Sequence, residues 1–151
     1  MSDPRIAVRH ADARVQRVIA LFETLEPADL PALRGVYAVD ARFKDPFNAV
    51  QGLPEIARIF RHMFKALASP RFRILSAVAQ GDDVFLTWDF DFSTRGRSAV
   101  AMRIHGASHL QFDAAGQVTL HRDYWDAAEE LYEKLPVLGA LMRWLKRRAA
   151  G

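Results

Sequence analysis

The chain contains no cysteine, which excludes disulfides and thiolate-based metal or redox chemistry. No apolar run approaches the roughly 18 residues that a membrane-spanning helix requires. Met1-Ser2-Asp3-Pro4-Arg5 lacks the apolar stretch of a secretory signal, so a cytoplasmic location is the expectation. Internal repeats, low-complexity tracts and linkers are missing too. The 151 residues therefore read as one domain, 1–151, long enough to bury a full core.

Charge of one sign is also scarce, with a formal net charge of +3. Much of the excess sits in Arg143, Lys146, Arg147 and Arg148, and in Arg5, Arg9, Arg14 and Arg17. No aromatic-interleaved basic face or recognisable motif accompanies it, so a nucleic-acid partner is not expected. His105 and His109 share one face of a strand, but no third ligand follows at metal-like spacing, and His62 is distant. Neither a metal nor a cofactor is expected.

What the chain does have is a pair of carboxylates set in aromatic surroundings, Phe43-Lys44-Asp45-Pro46-Phe47 and His121-Arg122-Asp123-Tyr124-Trp125. An Asp among bulky apolar groups is costly to bury ionised. Two such motifs in one small domain point to one shared small-molecule cavity, with Asp45 and Asp123 within roughly 10 Å of each other.

Periodicity orders the chain. Val15, Val18, Ile19, Phe22 and Leu25 predict a helix over 12–25 with Asp12 as cap. Asp29-Leu30-Pro31 opens a short second helix. Tyr37–Lys44 reads as a strand closed by Asp45-Pro46, and 48–52 as a loop. Ile56, Ile59, Phe60, Met63 and Leu67 mark a helix over 54–68. From Phe72 the period changes to two, giving strands over 72–80, 84–93, 98–112 and 117–125 separated by turns. A helical extension over 127–148 is interrupted at Pro136 and Gly139. This is an α+β pattern: a strongly curved antiparallel sheet with helices on its concave face, which makes a cone open at one end.

This order, with Phe43-Lys44-Asp45-Pro46 before the third helix and His121-Arg122-Asp123-Tyr124-Trp125 near the end, resembles the nuclear-transport-factor-two-like superfamily over residues 12–125. Within it the chain is similar to SnoaL-like and ketosteroid-isomerase-like proteins. That resemblance implies a cone fold, a homodimer, and a small, mostly apolar ligand. It is compatible with cofactor-free isomerases, cyclases and hydrolases, and with non-catalytic binding or dimerisation modules, so it fixes no reaction. Asp45 matches the general base of ketosteroid isomerase. The oxyanion-hole Tyr falls near Leu21 or Phe22 and the Asp at Ser108, so the largest catalytic contribution is missing. Asp123 matches the last-strand acid of limonene epoxide hydrolase, and Asp91 its mid-sheet acid, but Asp89 stands where that enzyme has Arg. Asp123 with His121 best fits the SnoaL-type cyclases, since residues two apart share a strand face.

The candidate catalytic residues are thus Asp45, Asp123 and His121. Phe22, Phe60, Met63, Asp91, Ser108, Leu110 and Trp125 are the candidate ligand contacts. Asp45 could equally cap its turn, Asp123 could pair with Arg103, and His121 could be a satisfied core histidine. Strand 84–93 is ambiguous, because the superfamily match aims Asp89 and Asp91 into the cavity with Met102, Ile104 and Ser108. Hydropathy instead buries Trp88, Phe90 and Phe92. A dimer through the convex face, or a bulge that reverses the strand's facing, would reconcile the two. The stripe Leu138, Leu141, Met142 and Leu145 suits a helix laid over the cone mouth or across a dimer; a membrane surface is the other use of such a face.

Overall fold

The computed structural model describes residues 8–132 and 136–149, with side chains from 139 in the latter segment. Helix α1 (Ala13–Thr24) begins at Asp12, whose carboxylate accepts from the Arg14 amide and caps the first turn. It buries Val15, Val18, Ile19 and Phe22. A 3-10 stretch, Pro27–Gly35, follows with Pro27 and Pro31 inside it. Strand β1 (Tyr37–Lys44) turns through Asp45–Asn48 into β2 (Ala49–Gln51), a short strand where a loop was expected. Helix α2 (Leu53–Ala66) buries Ile56 and Phe60. Strands β3 (Ala68–Gln80), β4 (Asp83–Ser93), β5 (Ala101–Phe112) and β6 (Val118–Tyr124) form the meander, followed by α3 (Ala127–Glu130) and α4 (Pro136–Ala149).

The six strands make one curved, unclosed sheet in the order β2-β1-β6-β5-β4-β3. All neighbours run antiparallel except β1 and β6, which pair in parallel. Pro70 is tolerated inside β3 because β3 is an edge strand with a free side. Register slips in β3 between Ile74 and Ser76, and in β1 between Tyr37 and Arg42, mark the bends of the sheet. Helices α1 and α2 cover the concave face. The core they close over includes Val15, Ile19, Tyr37, Ile56, Leu86 and Leu110, all within 2 % of full burial. Each such aliphatic contributes about 1.5–3 kcal/mol of transfer free energy.

The facing of β4 is now settled. Val84, Leu86, Trp88, Phe90 and Phe92 point to the concave side, opposite Ile104, Ser108 and Leu110 of β5. Asp89 and Asp91 point outward, so the cavity-facing acids implied by the superfamily match are corrected. Hydropathy prevails because five large side chains gain more from burial than two carboxylates, which find cations outside. The argument for a convex-face dimer falls with it, since Trp88, Phe90 and Phe92 are not on that face. On helix α4, Leu141, Trp144 and Leu145 are about half exposed. The Leu138 side chain, and the Lys134 and Leu135 stretch, lie outside the described residues.

Candidate functional site

The concave face of the sheet holds a chain of polar side chains that ends on Asp123. Alternation along β6 brings His121 and Asp123 to the concave face together, and the β5–β6 register sets Ser108 directly opposite Asp123. Asp123 Oδ1 accepts from Ser108 Oγ at 2.5 Å and pairs with His121 Nε2 at 2.7 Å. Trp88 Nε1–H donates to Ser108 Oγ at 2.8 Å. On the other side, His121 Nδ1 meets the Tyr37 hydroxyl at 2.6 Å.

Burial, and secondarily the Asp123 charge, push Tyr37 well above its ordinary pKa, so its hydroxyl keeps its proton. With Asp123 ionised and His121 neutral, the bonding assigns Nε2–H to Asp123 and leaves Nδ1 to accept from Tyr37. Every proton in the chain then points toward one carboxylate oxygen. Neither Arg nor Lys pairs with Asp123 among the described residues. The Arg103 pairing considered from sequence does not form, since Arg103 holds Asp91 at 2.6 Å.

The surroundings are aromatic. Phe43 and Phe22 stand edge-on to the His121 ring at 4.8 and 5.5 Å, and His121 is only 4 % exposed. An inner cavity of about 20 Å³, room for one water, is bounded by Phe60, Phe72, Trp88, Ser108 and Asp123, among others. A cleft of about 580 Å³ outside shares Phe22 and Phe72 with it and reaches Met63. Those two rings, 5.8 Å apart, form the partition between cleft and cavity. Asp123 also lines a shallow groove of about 520 Å³ on its other side, with Asp45 and Trp125.

Asp45 and Asp123 therefore share a groove wall, but their bonding differs. Asp45 accepts from the Phe47 and Asn48 amides at 2.8 and 2.6 Å and from Asn48 Nδ2 at 3.1 Å, which is the turn-capping role. Of the remaining candidates, Phe22, Phe60 and Ser108 bound the inner cavity, and Met63 the cleft. Leu110 is core, 1 % exposed, and does not bound that cavity. Trp125 packs on Phe47 at the groove. Asp91 sits at the cleft rim in its ion pair with Arg103. His105 and His109 go to separate carboxylates, Asp89 and Asp83, and no cluster fit for a metal occurs among the described residues.

Tyr37 and Trp88 were not among the residues singled out for the site. Tyr37 meets His121 only through the parallel β1–β6 pairing, which leaves no local signal in the sequence.

A family model for the SnoaL-like domain matches residues 18–121. The chain belongs to that family. Among solved structures, this SnoaL-like domain is similar to TsrD from Streptomyces laurentii, with a TM-score of 0.70 at 16% identity, covering 87% of this chain and 99% of that one. It is similar also to a protein of ketosteroid isomerase-like fold from Catenulispora acidiphila DSM 44928, solved in complex with trimethylamine (TM-score 0.67, 18% identity, 81% and 92% covered). A third is an LEH-like epoxide hydrolase of M. tuberculosis (TM-score 0.61, 21% identity, 78% and 85% covered). At these identities the likeness is one of fold. No curated protein matches the sequence.

Proposed function

We propose that this SnoaL-like domain binds a small, mostly apolar organic molecule on the concave face of its sheet and moves a proton with the Asp123–His121 pair, without a cofactor. The observation that supports this most is a carboxylate in an aromatic cavity, held by Ser108 and His121 rather than by a cation. An arginine partner would favour the charged form and make a poor base, whereas Asp123 without one can hold the abstracted proton and return it to the same substrate. In this scheme Asp123 takes a proton from a carbon beside a carbonyl, His121 keeps the carboxylate in place, and Tyr37 fixes the His121 ring. Phe22 and Phe72 must part to admit the ligand. Asp45 holds its turn rather than the proton.

The narrowness of the inner cavity favours a second use, retention of a ligand without chemistry. Incubation with small apolar ketones in D2O, followed by NMR, separates the two. Proton transfer predicts Asp123-dependent loss of the α-proton signal, together with shifts of the Trp88 indole resonance. Shifts without exchange would leave a binder. No shift with any ketone would overturn the pocket itself.

A further inference from the structure

We propose that α4 docks on an anionic lipid surface, lying in the interface plane with its apolar stripe down. Over 14 residues the helix carries Arg143, Lys146, Arg147 and Arg148, and neither Asp nor Glu. Leu141, Trp144 and Leu145 are 49%, 45% and 45% exposed. Their i, i+3, i+4 spacing aligns them in one stripe, and the helical turn places Arg143, Lys146 and Arg147 on the opposite side. Arg148 lies over the Trp144 ring, 4.8 Å from its centre, as a side chain does that keeps its stem on apolar surface and its charge in the polar layer. Lys146 reaches Glu129 at 3.1 Å, tying α4 to α3. No extensive packing joins α4 to another element among the described residues.

A helix of this length spans roughly 21 Å, short of the roughly 30 Å hydrocarbon layer, and no described helix is long and apolar enough to cross a membrane. It can lie on a bilayer, and its parts suit an in-plane helix: apolar side chains with a tryptophan on one face, Arg143, Lys146 and Arg147 on the other. Arg148, four residues after Trp144, lies on the stripe itself, where it can reach the headgroups. Charge decides between lipid and a second copy of the chain. Two α4 stripes face to face would bring two Arg148 guanidinium groups into one apolar seam, whereas a leaflet containing phosphatidylserine offers the complementary sign.

The test is co-sedimentation of the full chain with phosphatidylcholine vesicles, with and without phosphatidylserine. Binding is expected only with phosphatidylserine and is expected to weaken as salt rises. Leu141→Glu with Leu145→Glu should reduce it to the phosphatidylcholine level. Arg147→Glu with Arg148→Glu should weaken it by more than about tenfold. Trp144→Phe should keep binding but remove the vesicle-induced blue shift of tryptophan emission, and near-UV dichroism should confirm an intact core in each variant. The proposal is overturned if phosphatidylserine vesicles do not pellet the protein, or if the double Leu variant still binds. It is equally overturned if that variant instead splits a dimer in sedimentation velocity while no form binds vesicles.

Discussion

Asp89 and Asp123 sit on the two strands that flank β5, one on each face of the sheet, and each meets a histidine. On the outer face, Asp89 is bonded to Arg73 at 2.7 Å and His105 at 3.0 Å, with Arg103 at 3.9 Å. The His105 bond first, then the Arg73 bond, hold its pKa below the usual carboxylate value. On the inner face, Asp123 is bonded to Ser108 and to a histidine whose other nitrogen faces a neutral tyrosine. The His105 side chain is 58% exposed and that of His121 only 4%. The two carboxylates are alike in exposure, at 12% and 15%. Yet the same two residue types make an arginine-paired ion lattice in one place and a cation-free hydrogen-bonded chain in the other. Their neighbours, not their identities, separate the roles.

The sharpest way to break this contrast is to neutralise each acid in turn. Asp123→Asn should keep the fold and lower any proton-transfer rate by about 10²–10⁴-fold, while Asp89→Asn should leave that rate unchanged; equal losses from both would erase the distinction. Next in size is Gly106→Ala. A methyl group there would overlap the Trp88 ring, pushing the indole away from Ser108, at a cost of about 2–3 kcal/mol in denaturant melts. Gly35→Ala meets nothing within 4 Å and serves as the near-neutral control.

Asp45→Ala should cost about 1–2 kcal/mol of stability through its lost amide bonds, with catalysis intact. A loss of turnover larger than the loss of folded protein would return Asp45 to the chemistry. The smallest effect is on pH dependence. Because the Asp89 pKa is lowered on folding, its contribution is fully present above the unfolded value near 4 and fades as pH falls through the lower folded value. Asp89→Asn should therefore flatten the acid limb of a stability profile by about 1 kcal/mol or less.

Much of this organisation was legible in the sequence. The apolar spacing of Val15 to Phe22 and of Ile56 to Phe60 located both helices to within two residues, and the change to period two after Phe72 located the meander. His121 and Asp123 followed from the same period, being two apart on one strand. What escaped was facing and long-range pairing. The alternation of β4 allows either side to be inward; only the competition between burying Trp88, Phe90 and Phe92 and burying Asp89 and Asp91 settles it. Tyr37 was placed on its strand but not beside His121, since the partner across the parallel pair is set by the whole sheet.

That parallel pair has a consequence for how the molecule comes to exist. Tyr37 and His121 are 84 positions apart, and β6 slots between β1 and β5. Strand β6 reaches β5 through a short turn, but until it also pairs with β1 both strands present open edges, which invite pairing with other chains. Closing so long a loop is slow compared with forming the β3–β4 and β4–β5 hairpins. The Ser108–Asp123 and Trp88–Ser108 bonds form across hairpins, whereas the Tyr37–His121 bond exists only where β1 has joined β6.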